Sequence, residues 1–335
     1  MSGLALNHSL VGAPRFTATQ LMALAGAPMQ EVEARLLAHL ESTMGNIPEV
    51  GGHLLGAGGK RLRPLLSVLA CRAADAPVTV AVSVGCAAEL IHTATLFHDD
   101  VVDNGSVRRG RPAARMVYGN GIAVLVGDFC FARGLESVAA TGSLAAVKTL
   151  ARAVTEMAEG EVAQLAGAGD CHATTEGYFE IIDRKTGALM TWCARVGGIL
   201  PPLLDAALAR YGRLLGRAFQ ITDDVIDCAV DVSVSGKSPG RDLQEGKLTL
   251  PVLLACSARP ELRDEIRSVM GETGVLPENA LGILQAVRAA GGIERARAHA
   301  MDFAASAVAE LEVLPPSEFR DGLAALAHLA VDRVA

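Results

Sequence analysis

Two acidic clusters of the same pattern, Asp99-Asp100-Val101-Val102-Asp103 and Asp223-Asp224-Val225-Ile226-Asp227, carry carboxylates at i, i+1 and i+4. On an α-helix, i and i+4 lie one turn apart on one face, with i+1 turned beside them. Carboxylates that close repel one another and raise each other's pKa, so a cation is expected among them. Oxygen donors without Cys or His at ligand spacing suit a hard ion such as Mg²⁺, which keeps few protein ligands and completes its shell with water and phosphate oxygens. The repetition predicts a diphosphate clamped through magnesium between two helices. A single Asp-rich turn is commonly a solvated helix face. Here each cluster follows an apolar stretch, Ile91–Phe97 and Ala218–Thr222, and carboxylates on a largely buried helix need a partner.

The elements that must carry these clusters read as helices. From Thr79 to Asp103 there is one Gly and no Pro, so a long helix ends on the first cluster. Asn104-Gly105-Ser106 then opens a loop bearing Arg108, Arg109, Arg111 and Arg115, of which the last two read as surface charges. The second cluster sits near the end of a helix expected over 203–231, started by Pro201-Pro202. Further helices are expected at 19–44 (broken near Gly26 and Pro28), 65–74, 122–140, 144–165, 175–196, 248–258, 260–271, 278–290, 292–312 and 316–332. Residues 1–17 read as a loose arm, Gly51-Gly52 and Gly56 to Gly59 as a flexible junction, and Ser233 to Glu245 as a Gly/Ser-rich loop. No strand pattern or short repeat stands out.

Two motifs 124 residues apart that make chemical sense only together argue for a single domain over 1–335. The chain is 50% hydrophobic with 4% aromatics, which favours helices over sheets. The seven cysteines (71, 86, 130, 171, 193, 228 and 256) form no C-x-x-C pair and read as small buried hydrophobes in a reducing compartment. The longest uncharged run, Phe16 to Gln30, is 15 residues and contains Pro28, too short to cross a bilayer. The first 14 residues lack Lys and Arg, so a secretory n-region is missing and a cytoplasmic protein is expected. A net charge of −7 argues against nucleic-acid binding.

Gly58-Gly59-Lys60-Arg61-Leu62-Arg63-Pro64, the first Asp cluster with Arg108-Arg109 behind it, Lys185-Thr186, Gln220 with the second cluster, and the run from Asp242 through Glu245-Gly246-Lys247 to Pro251 occur in that order. From about Gly58 to the C-terminus the chain resembles the trans-isoprenyl (polyprenyl) diphosphate synthases, in particular those of medium and long chain, octaprenyl to decaprenyl. The resemblance implies an all-α fold, an antiparallel helical bundle around a central active-site cavity (the isoprenoid synthase type I fold), usually as a homodimer. It implies condensation of isopentenyl diphosphate with an allylic diphosphate, the allylic carbocation being attacked by the isopentenyl double bond before a proton is lost. Stabilising the anionic leaving group is most of that catalysis.

The same resemblance assigns the site. Asp99 and Asp103, facing Asp223, would hold three Mg²⁺ that bridge the allylic diphosphate. Asp100, Asp224 and Asp227 belong to the same metal set, with Asp100 and Asp227 supporting its water shell. Arg108, Lys185 and Lys237 would bind that diphosphate, with Thr186 and Gln220 nearby and Lys247 beside them. Asp99, Asp103, Asp223, Lys185 and Arg108 form the catalytic group. Isopentenyl diphosphate would sit without metal on Lys60, Arg63, His92 and Arg109, while Glu161 and Gln164 order the site from behind. His92 stands two turns before Asp99 on roughly the same face; the alternative is a satisfied core histidine, which is how His98 reads.

In this family the residues one turn before the first cluster form the floor beneath the growing tail. Here they are Ala94 and Thr95, and the stripe continues through Ile91 and Ala87 without a ring. A tail of about eight to ten isoprene units, as on a quinone, is therefore expected, although small residues in a stripe also serve tight helix packing. A short-chain farnesyl or geranylgeranyl synthase is the alternative. A class I terpene cyclase lacks a symmetrical second Asp cluster, and a non-catalytic synthase subunit usually loses one.

Overall fold

The structure, a computed structural model, describes residues 16–56, 59–228, 240–270 and 274–332. Some helices start on a side-chain cap, among them those capped by Thr17, Ser143, Thr174 and Ser317. Thr17 and Gln20 close a capping box at the head of α1 (Ala18–His39), with bonds of 3.2 and 2.7 Å. The expected break in α1 is a kink at Gly26, whose φ of +52° suits glycine.

The junction expected around Gly51-Gly52 is instead a helix, α2 (Asn46–Leu55). Gly51 is there for packing: a Cβ at that position would lie 2.6 Å from Leu40 Cδ2. α3 (Leu62–Ala73) and α4 (Val78–Val102) follow. α4 is long and apolar enough to span a membrane by length and composition, yet 78% of its apolar window is buried in the bundle. It packs against α1, α3 and α6 (Asn120–Ala139), and Gly134 lets α6 come close, since a Cβ there would stand 3.2 Å from the Ala87 carbonyl.

Between α4 and α6 the chain forms a hairpin of two-residue strands, β1 (Val107–Arg108) and β2 (Arg111–Pro112), and a short helix, α5 (Ala114–Tyr118). Such strands are too short to leave an alternating pattern, which is why none was expected. After α7 (Leu144–Ala166, capped by Ser143) the single helix expected over 175–196 proves to be three pieces. These are α8 (Thr175–Ile182), a π-helical turn (Asp183–Gly187) and α9 (Ala188–Ala194). Two glycines seat the π turn. A Cβ on Gly160 would lie 2.9 Å from the Lys185 nitrogen, and one on Gly216 would lie 3.0 Å from Gly187 Cα.

α10 (Pro202–Asp227) starts on a proline and carries the second acidic cluster in its last turns. α11 (Arg241–Gln244), α12 (Leu250–Ala258), α13 (Glu261–Val269), α14 (Pro277–Ala289), α15 (Gly292–Glu310) and α16 (Glu318–Val331) complete the described chain. α10 packs along α9, α15 and α16, while α9 also touches α3 and α4. The main core draws Leu21, Leu66, Ile91, Leu189, Leu208 and Leu323 into one cluster, so elements from both ends of the described chain share it. All seven cysteines are free and buried.

The α9–α10 contact makes a first prediction. A Cβ on Gly212 would lie 2.8 Å from the Met190 carbonyl and from Ala194 Cβ. Gly212→Ala should destabilise the fold by about 1–3 kcal/mol, read as a lowered thermal midpoint. An unchanged midpoint would mean that the two helices separate at little cost.

Candidate active site

A central cavity of about 810 Å³ opens between α3, α4, the hairpin, α6, α7, the π turn and α10. Arg63, His92, Asp99, Arg108, Arg109, Lys185, Thr186, Gln220 and Asp223 all line it. Local structure explains how each arrives there.

The cationic wall rests on two left-handed residues. Arg61, at φ +45°, begins α3 and is held by Glu33 at 2.6 Å, by the buried Glu89 at 3.0 Å and by the Leu55 carbonyl at 3.1 Å. That anchor sets Arg63 on the first turn of α3. Its Nε is buried with no hydrogen-bond partner. Arg109, at φ +52°, shares the hairpin turn with Gly110, at φ +74°, and its Nη1 donates to the Leu54 carbonyl at 3.1 Å. Burial and the surrounding guanidinium groups, Arg63 foremost, push His92 well below the usual imidazole range, so it is neutral at pH 7. Burial likewise lowers Arg63 and Arg109. Glu89 is the acid that opposes them most, so this wall carries surplus positive charge.

The facing wall carries the opposite surplus. Burial pushes Asp99 up to about 6; Lys185 opposes the rise, while Glu161 and Asp103 add to it. The π turn delivers Lys185 to Glu161 at 2.5 Å and to Gln164 at 2.7 Å. The other Glu161 oxygen is buried without a hydrogen-bond partner.

The middle acid of each cluster is absent from the lining of this cavity, although Asp224 lines an adjoining one of about 420 Å³ that shares Lys185, Thr186 and Gln220 with it. The sequence placed Asp100 and Asp224 among the metal ligands; the structure gives both of them protein partners. Asp100, 1% exposed, accepts from Arg108 Nε at 2.8 Å and Nη2 at 2.6 Å. Asp224, 3% exposed, accepts from the Tyr178 hydroxyl at 2.6 Å and the Gln220 amide at 2.9 Å. Burial raises the Asp224 carboxyl despite those bonds. Gln220 in turn accepts from the Thr186 hydroxyl at 2.8 Å. Thr186, Gln220, Asp224 and Tyr178 thus form one hydrogen-bonded chain across the π turn, α10 and α8. Tyr178 escaped the sequence reading; its signal was a hydroxyl-bearing ring, one of three tyrosines in the chain.

Other assigned residues lie outside the central cavity. Lys60 is exposed and lines a separate hollow with Leu62, Phe219 and Leu329. Lys247 sits between Glu245 at 2.6 Å and Asp103 at 3.5 Å, tying the last acid of the first cluster to the segment after α11. Asp227 accepts from the Asp242 backbone N–H at 3.1 Å. Lys237 falls outside the described residues.

At the apolar end, Ile91, Ala94 and Thr95 line the cavity together with Phe131, Val154, Met157 and Phe219. Ala87 does not; it packs beside Gly134 on α6. The α4 stripe has no ring; the phenylalanines that line the cavity, Phe131 and Phe219, come from α6 and α10. His98 reaches the Val124 carbonyl at 3.2 Å and Asp128 at 3.3 Å.

The sequence profile described as polyprenyl synthetase matches residues 45–283. The octaprenyl diphosphate synthase of Escherichia coli (strain K12) is 40% identical over 314 residues, covering 92% of this chain and 97% of that one. A polyprenyl synthase structure from Caulobacter crescentus CB15, complexed with calcium and isoprenyl diphosphate, superposes with a TM-score of 0.90 at 37% identity, covering 95% of this chain and 98% of that one. A decaprenyl diphosphate synthase from Rhodobacter capsulatus gives 0.89 at 37% identity, covering 95% and 100%. With the all-α bundle and the two-walled cavity, these matches show that the chain belongs to the polyprenyl synthetase family.

Proposed function

We propose that this protein is a magnesium-dependent trans-polyprenyl diphosphate synthase, joining isopentenyl diphosphate head-to-tail to an allylic diphosphate. The observation that carries the reading is the division of charge within one cavity, with surplus cations on one wall and surplus carboxylates on the other. Two diphosphates bound differently account for both. Arg63 and Arg109 suit the metal-free diphosphate, and neutral His92 can offer it a hydrogen bond without adding charge. The names of the relatives, octaprenyl and decaprenyl, support an all-trans product of about eight to ten isoprene units, the length of a quinone side chain.

The donor set fits magnesium. Asp99, Asp103, Asp223 and Asp227 offer hard oxygens, and burial, with Glu161 and Asp103 nearby, raises the Asp99 carboxyl despite Lys185. Among the described residues, no three acidic, His or Cys side chains gather as a preformed metal cage. That suits ions completing their shells with diphosphate oxygens, and the reading takes three per site. When bound, magnesium supplies positive charge to the departing diphosphate. Arg108 and Lys185 add fixed cations beside it. Arg108 is held by Asp100, and Lys185 by Glu161 and Gln164, so neither needs reorganising as the C–O bond breaks. The allylic C–O electrons leave with the diphosphate, the isopentenyl double bond attacks the cation, and the departed diphosphate accepts the proton.

The reading also takes one domain, in a cytoplasmic homodimer. Leu144 and Val162 lie on one face of α7 at 64% and 66% exposure, with Leu125 of α6 at 64%, apolar surface that a second copy would cover.

Incubation with isopentenyl diphosphate, farnesyl diphosphate and Mg²⁺, followed by product mass analysis, tests the function. Products of about eight to ten units are expected. No condensation would refute the enzyme, and products ending at farnesyl or geranylgeranyl would refute the long tail. Ala94→Phe should shorten the product and Phe131→Ala lengthen it, each with turnover within about tenfold of the parent; unchanged products would show that neither side chain bounds the tail.

Acid sensitivity follows from Asp99. Its pKa of about 6 exceeds the ordinary 3.8, so the ionised carboxylate costs the metal-free fold stability above pH 6, a cost relieved as pH falls through that value. Metal needs the carboxylate, so Mg²⁺ with inorganic diphosphate should expel about half a proton from Asp99 at pH 6 and almost none at pH 8. Proton release in weak buffer, less that of Mg²⁺ and diphosphate without protein, reads this, and Asp99→Asn should lower it at pH 6. Equal release by the variant would assign the proton elsewhere.

A further inference from the structure

A separate cavity of about 450 Å³ lies on the other side of the π turn, between α7, α9 and α10. It presents five cations, Lys148, Arg152, Arg184, Arg195 and Arg213, against two acids, Glu156 and Asp183. In a chain of net charge −7 this is a local concentration of positive charge. Arg195 is paired with Asp205 at 2.6 Å and Arg184 with Glu159 at 3.3 Å. Lys148 and Arg152 differ: among the described residues neither head group has an ion pair or hydrogen bond. They stand at i and i+4 on α7, both exposed, with Glu156 one further turn along, and like charges at that spacing are mildly destabilising.

We propose that this groove binds the diphosphate group as a second anion site, apart from the reaction cavity. A multiply charged anion can bridge Lys148 and Arg152 where a single chloride cannot, and Arg213 offers a third contact. Arg213 donates to Asp183 from Nε at 2.9 Å and from Nη2 at 2.6 Å, but Arg217 holds both oxygens of the same carboxylate, each at 2.7 Å. Asp183 therefore keeps a partner when Arg213 turns to a ligand. Asp183 also opens the π turn whose Lys185 and Thr186 line the reaction cavity. Occupancy of the groove acts on the far side of the turn that positions those two groups. The choice of diphosphate rests on the proposed reaction, which releases one per condensation; the groove and its unpaired cations do not.

The chain's single tryptophan reports on the site. Trp192 lines the groove, and its indole N–H donates to Thr149 at 3.1 Å. Tryptophan fluorescence of the full chain, without divalent ions, is titrated with inorganic diphosphate, farnesyl diphosphate and sulfate. The expected result is a saturable response to inorganic diphosphate that Arg63→Ala leaves in place. Lys148→Ala with Arg152→Ala should weaken it about tenfold or more, and Lys148→Ala alone by less. Tighter binding of farnesyl diphosphate would assign the site to a prenyl ester; equal or weaker binding would assign it to the free anion. No response, an equal response to sulfate, or a response lost in Arg63→Ala but kept in the groove variants would overturn the proposal. The titration needs no turnover, so its failure is separate from failure of the proposed reaction.

Discussion

Carboxylates carried into a helical bundle must find positive charge, and this demand organises the centre of the molecule. Each acidic cluster meets it in part within the protein. Asp100 is neutralised by Arg108, Asp224 is held by Tyr178 and Gln220, and Asp103 lies near Lys247. The Asp99 carboxyl is raised by burial and by Glu161 and Asp103, more than Lys185 and Arg108 offset. The facing wall has the complementary deficit, since Arg63, Arg109 and Arg108 crowd a neutral His92. A cavity with one wall short of cations and the other short of anions suits a ligand pair in which one diphosphate brings metal and the other does not.

Backbone strain and close packing hold those walls in place. Arg61 and Arg109 both adopt a left-handed conformation that costs a non-glycine residue about 1–2 kcal/mol. Each is retained by bonds from its own guanidinium, Arg61 to Glu33 and Glu89, and Arg109 to the Leu54 carbonyl. The side chain that gives charge to the wall thus also fixes the turn that presents it. On the other side a π turn, a form often found at functional sites, advances Lys185 beyond where a regular helix would leave it. Gly160 and Gly216 leave the room that the turn needs.

The all-α class and the long helices were legible because apolar runs, prolines and a composition poor in aromatics agree along most of the chain. The one-turn spacing of Asp99 and Asp103 followed from helical geometry alone; Asp99 lines the cavity, while Asp103 lies by Lys247. That spacing put Asp100 and Asp224 beside the outer acids and in the metal set, and it could not say that both would meet protein partners. Tyr178 lies 46 residues before Asp224, and their contact depends on tertiary packing. Lys60 and Arg63 flank one Gly-rich turn, yet the left-handed Arg61 between them leaves Lys60 on another hollow. The small stripe on α4 held two roles that composition cannot separate: Ala94 lines the cavity, while Ala87 packs against α6. Gly51 read as flexibility and proved to be a packing contact. Phe131 belongs to a different helix from the stripe, so no pattern within α4 could reveal it.

The central claim is that the two acidic helices act as one clamp on the leaving diphosphate. A double-mutant cycle of Asp99→Asn and Asp223→Asn, with turnover and isopentenyl diphosphate affinity measured separately, tests it most directly. A shared clamp predicts that each single change lowers turnover by about 10²–10³ or more, that the double variant loses little beyond the worse single one, and that isopentenyl diphosphate affinity stays within about twofold of the parent. Losses that multiply, or isopentenyl diphosphate binding that falls in parallel with turnover, would contradict a clamp devoted to the leaving group.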